Sequence, residues 1–160
     1  MIVLGIDPGL TGALGVIADC GEFLGVHDLP VIRDHNLAWI DGDLLRSMIL
    51  GYHGTKRVVI ERVSAMPKQG VSSSFQFGVG FGSILGVVQS LGIPIELVRP
   101  AQWKRALGLS SDKHASLHKA RLQFPAAELT LAKHDGRAEA LLVAYWSLRQ
   151  QRGDARRVAA

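Results

Sequence analysis

Apolar residues run from Ile2 to Ile6 and stop at Asp7, then resume at Ala13 and hold to Ala18. A third extended stretch covers Phe23 to Leu29, after the turn at Cys20 and Gly21. The linkers between these runs are short, which predicts three consecutive antiparallel strands at 2–7, 12–18 and 23–29. Between 41 and 52 the period changes. Leu44, Leu45, Met48 and Ile49 fall on one face at helical spacing, and Asp41 stands where an N-cap belongs. A fourth strand is expected at 56–61, where Val58, Val59 and Ile60 end at Glu61. Residues 62–74 hold Pro67, Gly70 and three consecutive serines, Ser72 to Ser74, and read as a loop. A helix to about Leu91 follows, then a fifth strand at 93–98 closed by Pro100. Two short helices are expected at 101–108 and 112–124, and a last helix from Asp135 to about Arg149. The pattern describes an α/β fold: a five-stranded mixed sheet, its first three strands antiparallel, flanked by helices.

At 160 residues with 48% hydrophobic content, one domain at 1–150 with a single real core is the simplest organisation, followed by a basic flexible tail at 151–160. Cys20 is the only cysteine, so neither an intramolecular disulfide nor a cysteine-built zinc site is available, which fits a reducing cytoplasmic location. The first apolar run lacks a basic start and ends on an acid, unlike a secretory signal. The longest apolar stretch, Phe77 to Val88, is short for a bilayer and reads as a buried helix, so no membrane partner is expected. A net charge of +4 and an isoelectric point near 9.6 are compatible with a polyanionic partner.

Acids at strand ends change the picture most. Asp7 and Glu61 each terminate a buried strand, and Asp135 and Glu139 open the last helix one turn apart, on one face. Carboxylates in such places are costly unless paired. Their convergence would suit a hard divalent cation, because magnesium prefers carboxylate oxygens and water. Singly, each acid has a plainer role: a turn former before Pro8 and Gly9, an ion pair with Arg57 or Arg62, an N-cap, a surface pair. A shared metal site explains all four together. The stretch 99–121 carries Arg99, Lys104, Arg105, Lys113, Lys119 and Arg121 against one acid, Asp112, with Trp103 inside it. On short helices these bases could track a DNA backbone, where phosphate contacts dominate affinity, or form a solvated basic face. His114 and His118 lie one turn apart without the acid of a zinc protease motif. The loop from Asp7 to Gly12 is also similar to the phosphate loop of actin-like ATPases. Those enzymes clamp a nucleotide between two such domains, and no nucleotide cofactor is expected here. Gly78, Gly82 and Gly86 line one helix face and invite close approach, either by a second subunit or by the protein's own sheet.

In order along the chain stand Gly5-Ile6-Asp7-Pro8-Gly9 with Thr11-Gly12, then Ile60-Glu61, then Pro100-Ala101-Gln102-Trp103-Lys104 with Gly108 and Lys113, and finally His134-Asp135-Gly136-Arg137-Ala138-Glu139-Ala140-Leu141. This series resembles the RuvC family of Holliday junction resolvases, in a phage or prophage branch, within the RNase H-like fold. The resemblance implies a homodimeric, magnesium-dependent endodeoxyribonuclease (manganese as substitute, two ions per site) that nicks two like strands of a four-way DNA junction. It matches Asp7, Glu61 and Glu139 to metal-binding acids, and Lys104 and Lys113 to basic residues at the cleavage site. Two departures stand out. Where the family has an acid or a histidine three residues before the last acid, this chain has Gly136, leaving Asp135 or His134 as the substitute. Where many members carry an aromatic wedge, this chain has Ser64, so that Met66, Phe75 or Phe77 would have to open the junction. A nuclease of the same fold acting on flaps or forks, and a junction-binding protein without catalysis, are the alternatives.

Overall fold

The computed structural model describes residues 1–35, 37–62, 70–110 and 112–158, without the side chains of Lys56, Lys113 and 154–158. Strands β1 (Ile2–Asp7), β2 (Ala13–Ala18) and β3 (Phe23–Asp28) are followed by a hairpin, β4 (Val31–Asp34) and β5 (Leu37–Ile40). Next come α1 (Gly42–Leu50), β6 (Thr55–Glu61), α2 (Val71–Ser90), β7 (Ile95–Val98), α3 (Pro100–Ala106) and α4 (Lys113–Gln123). A 3₁₀ turn at Ala132–His134 leads into α5 (Asp135–Val158). The main sheet runs β3-β2-β1-β6-β7. β1, β2 and β3 pair antiparallel, whereas β1 with β6 and β6 with β7 pair parallel. The five expected strands and the antiparallel order of the first three therefore hold, and the parallel pairings of β6 and β7 make the sheet mixed.

β1 is apolar throughout because both its faces are covered. Val3 faces a core shared with Ile17, Val59, Val98, Trp103 and Leu141 of α5. Leu4 and Ile6 face the other core, with Leu14, Val58, Ile60, Leu45 of α1 and Ile84 of α2. Helix α5 lies unusually close to the sheet. A Cβ built on Gly5 would stand 2.1 Å from the Ala140 carbonyl oxygen, and one on Gly15 would stand 2.6 Å from the Leu141 amide nitrogen. Only glycine leaves room for backbone to approach backbone in this way. At α1, the Asp41 carboxylate caps the helix by accepting from the Leu44 amide at 3.0 Å, as the sequence predicts.

Four differences from the sequence reading have physical causes. The β4–β5 hairpin pairs Val31 with Ile40 through Asp34 with Leu37. Its four-residue strands are too short for an alternating pattern to stand out, and the turn is made by His35 at a positive φ of 48°. Helix α2 begins at Val71, so the three serines belong to its first turn rather than to the expected loop; 63–69, with Ser64 and Met66, lie outside the described residues. Instead of being a buried helix, α2 buries only Gly80, Ile84 and Val88. At 20 residues it is long and apolar enough, by length and composition alone, to cross a membrane, although it forms the crossover between parallel β6 and β7. Its glycine stripe does not face the sheet, since a Cβ on Gly78, Gly82 or Gly86 would meet nothing within 4 Å. Finally, α5 continues to Val158, well past Arg149. Gly153 lowers helix propensity without ending the helix, and Arg152 donates to the Asp19 carbonyl at 2.6 Å.

Candidate active site

Because β1 and β6 run parallel with Ile6 opposite Ile60, the residues that follow, Asp7 and Glu61, leave the sheet at the same end. Beyond Asp7 the chain reverses tightly, with the Gly12 amide donating to the Gly9 carbonyl at 2.9 Å. The first turn of α5 docks onto this loop. A Cβ on Gly136 would stand 2.7 Å from the Thr11 carbonyl oxygen and 3.1 Å from Asp7 Oδ2. A side chain at position 136 would therefore press on the Asp7 loop, and the neighbouring acid is half-buried Asp135, one turn before Glu139 on the same helix face.

Glu61 and Glu139 are almost closed off, at 9% and 8% exposure. Two consecutive residues of α3 hold them. The Trp103 indole Nε1 donates to Glu61 Oε2 at 2.8 Å, and Lys104 Nζ donates to Glu139 Oε1 at 2.7 Å. The same ammonium lies 5.2 Å from the Trp103 ring centroid, a cation–π distance. Burial raises the Glu61 carboxyl above the ordinary range, opposed by the Trp103 hydrogen bond, reinforced by the charge of Glu139 and opposed again by Lys104. A desolvated carboxylate with a second negative charge acting on it favours added positive charge there. The donor set, oxygen alone, fits magnesium or manganese. Among the described residues, no three carboxylate, imidazole or thiol groups converge closely enough to hold a metal ion; one oxygen of Glu139 is taken by Lys104 and one of Glu61 by Trp103.

The expected DNA-contacting residues separate into groups. Trp103, at 0% exposure, lies in the core with its polar edge spent on Glu61 and offers DNA no surface in this structure. Arg99 and Arg105 are exposed and line shallow clefts with Arg62, Ala101 and Gln102. Lys119 is half-buried. Arg121 straps α4 to the following loop, donating to the Leu129 and Thr130 carbonyls at 2.6 and 3.0 Å. Lys113 opens α4, its side chain being outside the description. His134, 4% exposed, accepts the Leu131 amide at Nδ1 at 3.4 Å and so braces the 3₁₀ turn before α5. Among the aromatics, Phe75 is 73% exposed and Phe77 half-buried. Phe75 borders an apolar groove of about 610 Å³ between α2 and the hairpin, with Leu37, Trp39, Val71 and Val79.

Arg137 is a site-forming residue that sequence reading passed over. Its guanidinium grips Asp28 at the end of β3 through two bonds of 2.6 and 2.8 Å, and reaches Glu128 at 3.4 Å. It thereby fixes the first turn of α5 beside the Asp7 loop. The partner lies 109 residues away in the chain, so no local pattern announces it.

No protein-family model matches the chain. The chloroplastic Holliday junction resolvase MOC1 of Chlamydomonas reinhardtii is 34% identical over 93 residues, which is 56% of this chain and 10% of that protein. The chain thus spans about a tenth of that relative's length. Among solved structures, T. thermophilus RuvC in complex with a Holliday junction substrate superposes with a TM-score of 0.68 at 21% identity, covering 96% of both chains. The fowlpox virus Holliday junction resolvase superposes at 0.54 with 11% identity, covering 94% of this chain and 99% of that one. The yeast mitochondrial Holliday junction resolvase Ydc2 follows at 0.53 with 16% identity, covering 93% and 78%. The fold is RNase H-like α/β, and the resemblance to RuvC-like resolvases read from the sequence is borne out.

Proposed function

We propose that the chain is a divalent-metal-dependent DNA endonuclease that resolves four-way junctions by paired symmetric nicks, leaving 5′-phosphate and 3′-hydroxyl ends. The observation that carries this reading is the pair of buried glutamates, Glu61 and Glu139, held side by side at the Asp7 end of the sheet by Trp103 and Lys104. The likeness to junction resolvases supports the substrate class. Asp7, Glu61, Asp135 and Glu139 would hold magnesium or manganese, which supplies an activated water and charge stabilisation for in-line phosphodiester hydrolysis. Gly136 keeps Asp7 in contact with the first turn of α5, and Arg137 holds that turn to β3. Lys104 moves from Glu139 toward the scissile phosphate and offsets its growing negative charge. Arg99, Arg105, Lys113 and Lys119 follow the DNA backbone, a sequence-independent contact.

A junction with two-fold symmetry needs two sites in matching geometry, which a C2 homodimer supplies. The exposed glycine stripe of α2 and the apolar surface beside it are where a second copy fits. Phe75, projecting at the start of α2, is the residue we assign to opening the junction.

Cleavage of an immobile four-way junction, beside a flap, a fork and a linear duplex, tests the reading in magnesium and then manganese. Paired nicks at symmetric positions, abolished by Asp7→Asn with junction binding retained, are expected. Cutting of flaps or forks alone would replace the substrate. Tight junction binding without cutting in either metal would make the chain a binding protein, in line with the absence of a three-acid cluster among the described residues.

A further inference from the structure

Neighbouring side chains on α3 do different things to the two buried glutamates. Lys104 brings a charge to Glu139, whereas Trp103 brings a neutral donor to Glu61. Trp103 has no exposed surface, packs in the core with Val59, Val98 and Leu107, and sits on a helix that starts directly after β7. β7 pairs with β6 at Val98 opposite Glu61. The indole is therefore anchored by the same strand pair that carries the carboxylate, and its N–H has a fixed direction. A hydroxyl or an ammonium on a flexible stem would not hold the carboxylate plane in this way. A buried indole N–H needs an acceptor, and here it takes Oε2 of Glu61.

We propose that Trp103 is a positioning residue for the metal site: by holding Oε2 of Glu61, it orients the carboxylate that would help hold the divalent cation. This rests on the function proposed above and deepens it. Supporting partners that orient a ligand group are commonly worth about 10- to 100-fold in metal affinity. Trp103→Phe keeps the ring's packing and removes only the donor.

Two measurements on the full chain test it. Proton–nitrogen spectra of indole-labelled protein contain three indole signals, from Trp39, Trp103 and Trp146, and Trp103→Phe identifies the one at issue. Glu61→Ala is expected to move the Trp103 indole resonance upfield, and Asp135→Asn to leave it in place. A Trp103 signal unmoved by Glu61→Ala overturns the proposal; if Trp103→Phe fails to fold, Trp39→Phe and Trp146→Phe assign that signal by elimination. Calorimetric titration with manganese, without DNA, is expected to show affinity about tenfold weaker in folded Trp103→Phe than in wild type. The half-saturating magnesium for cleavage should rise by the same factor, with the deficit closing as metal is raised. Wild-type manganese affinity in folded Trp103→Phe overturns the proposal. The two readings fail separately. If wild type cuts junctions and Trp103→Phe has unchanged metal dependence, the positioning role falls and the nuclease stands. If wild type cuts no branched DNA but binds manganese in a Trp103-dependent way, the nuclease falls and the positioning role stands.

Discussion

Glu61 is a residue whose placement costs the fold something. Its carboxyl is raised above the ordinary value of 4.5 chiefly by burial, with Glu139 adding to the effect. A folded value above the unfolded one means that the native state binds the proton more tightly. Stability attributable to this group therefore declines as pH rises from 4.5 through the folded value, and stays lower above it. Glu61→Gln removes the ionisation and keeps an acceptor for Trp103. It is expected to raise the melting temperature at pH 7.5 by about 2–4 °C, on the scale of roughly 1 kcal/mol for a domain of this size. Scanning calorimetry should show the gain shrink toward zero below pH 4.5, where wild-type Glu61 is itself protonated. An equal gain at both pH values would mean that packing, not ionisation, is responsible. The same variant should not cleave, as expected where a strained group serves function at the expense of stability.

At the scale of elements, the decisive contact is α5 against the sheet. Glu139 reaches Lys104, and its charge acts on Glu61, because the helix backbone lies directly over Gly5 and Gly15. Gly5→Ala would drive a methyl to 2.1 Å from the Ala140 carbonyl oxygen, a backbone atom that cannot swing aside. The cost is expected to be about 3 kcal/mol or more. Urea unfolding should show a lower midpoint with an unchanged slope. Gly54→Ala is no useful control because φ is +82° there, whereas Gly86→Ala, in open space on α2, should be neutral or stabilising. Asp28 and Arg137 secure the other edge of the same helix start. The Arg137 hydrogen bonds hold the Asp28 carboxyl below its ordinary value of 3.8. That pairing is fully present above 3.8 and is lost as pH falls through the lower, folded value.

For the whole molecule, charge is distributed unevenly around the site. Arg99, just before α3, and Arg105 on it stand exposed, while Lys104 between them turns inward to Glu139. Arg99→Glu with Arg105→Glu is expected to weaken junction binding measured in calcium. It should also flatten the dependence of log affinity on log salt by roughly 2, or about one for each lost phosphate contact. An unchanged slope would take α3 out of the DNA interface. Because binding of this kind is independent of base sequence, the loss should be similar for junctions of different arm sequence.

From the sequence alone came the five main-sheet strands, the antiparallel order of the first three, the helices between them and the acids Asp7, Glu61, Asp135 and Glu139. Those features are local: apolar runs of period two or 3.6, short linkers that force antiparallel pairing, and acids that interrupt buried runs. The β4–β5 hairpin escaped because four-residue strands carry too little period, and the full reach of α2 and α5 escaped because serines and a glycine mark a break without enforcing one. Tertiary structure decided what each side chain does once there. Trp103 looks like part of a DNA-facing basic stretch until the β6–β7 pairing turns its N–H onto Glu61. Gly136 looks like a missing acid until α5 presses it against Thr11 and Asp7. The glycines of α2 allow close packing, and only the packed fold determines that their face is turned away from the sheet. Hydrogen bonds between residues 42 and 109 positions apart leave no periodic trace in a chain. They exist only where folding brings separate elements to one end of the sheet.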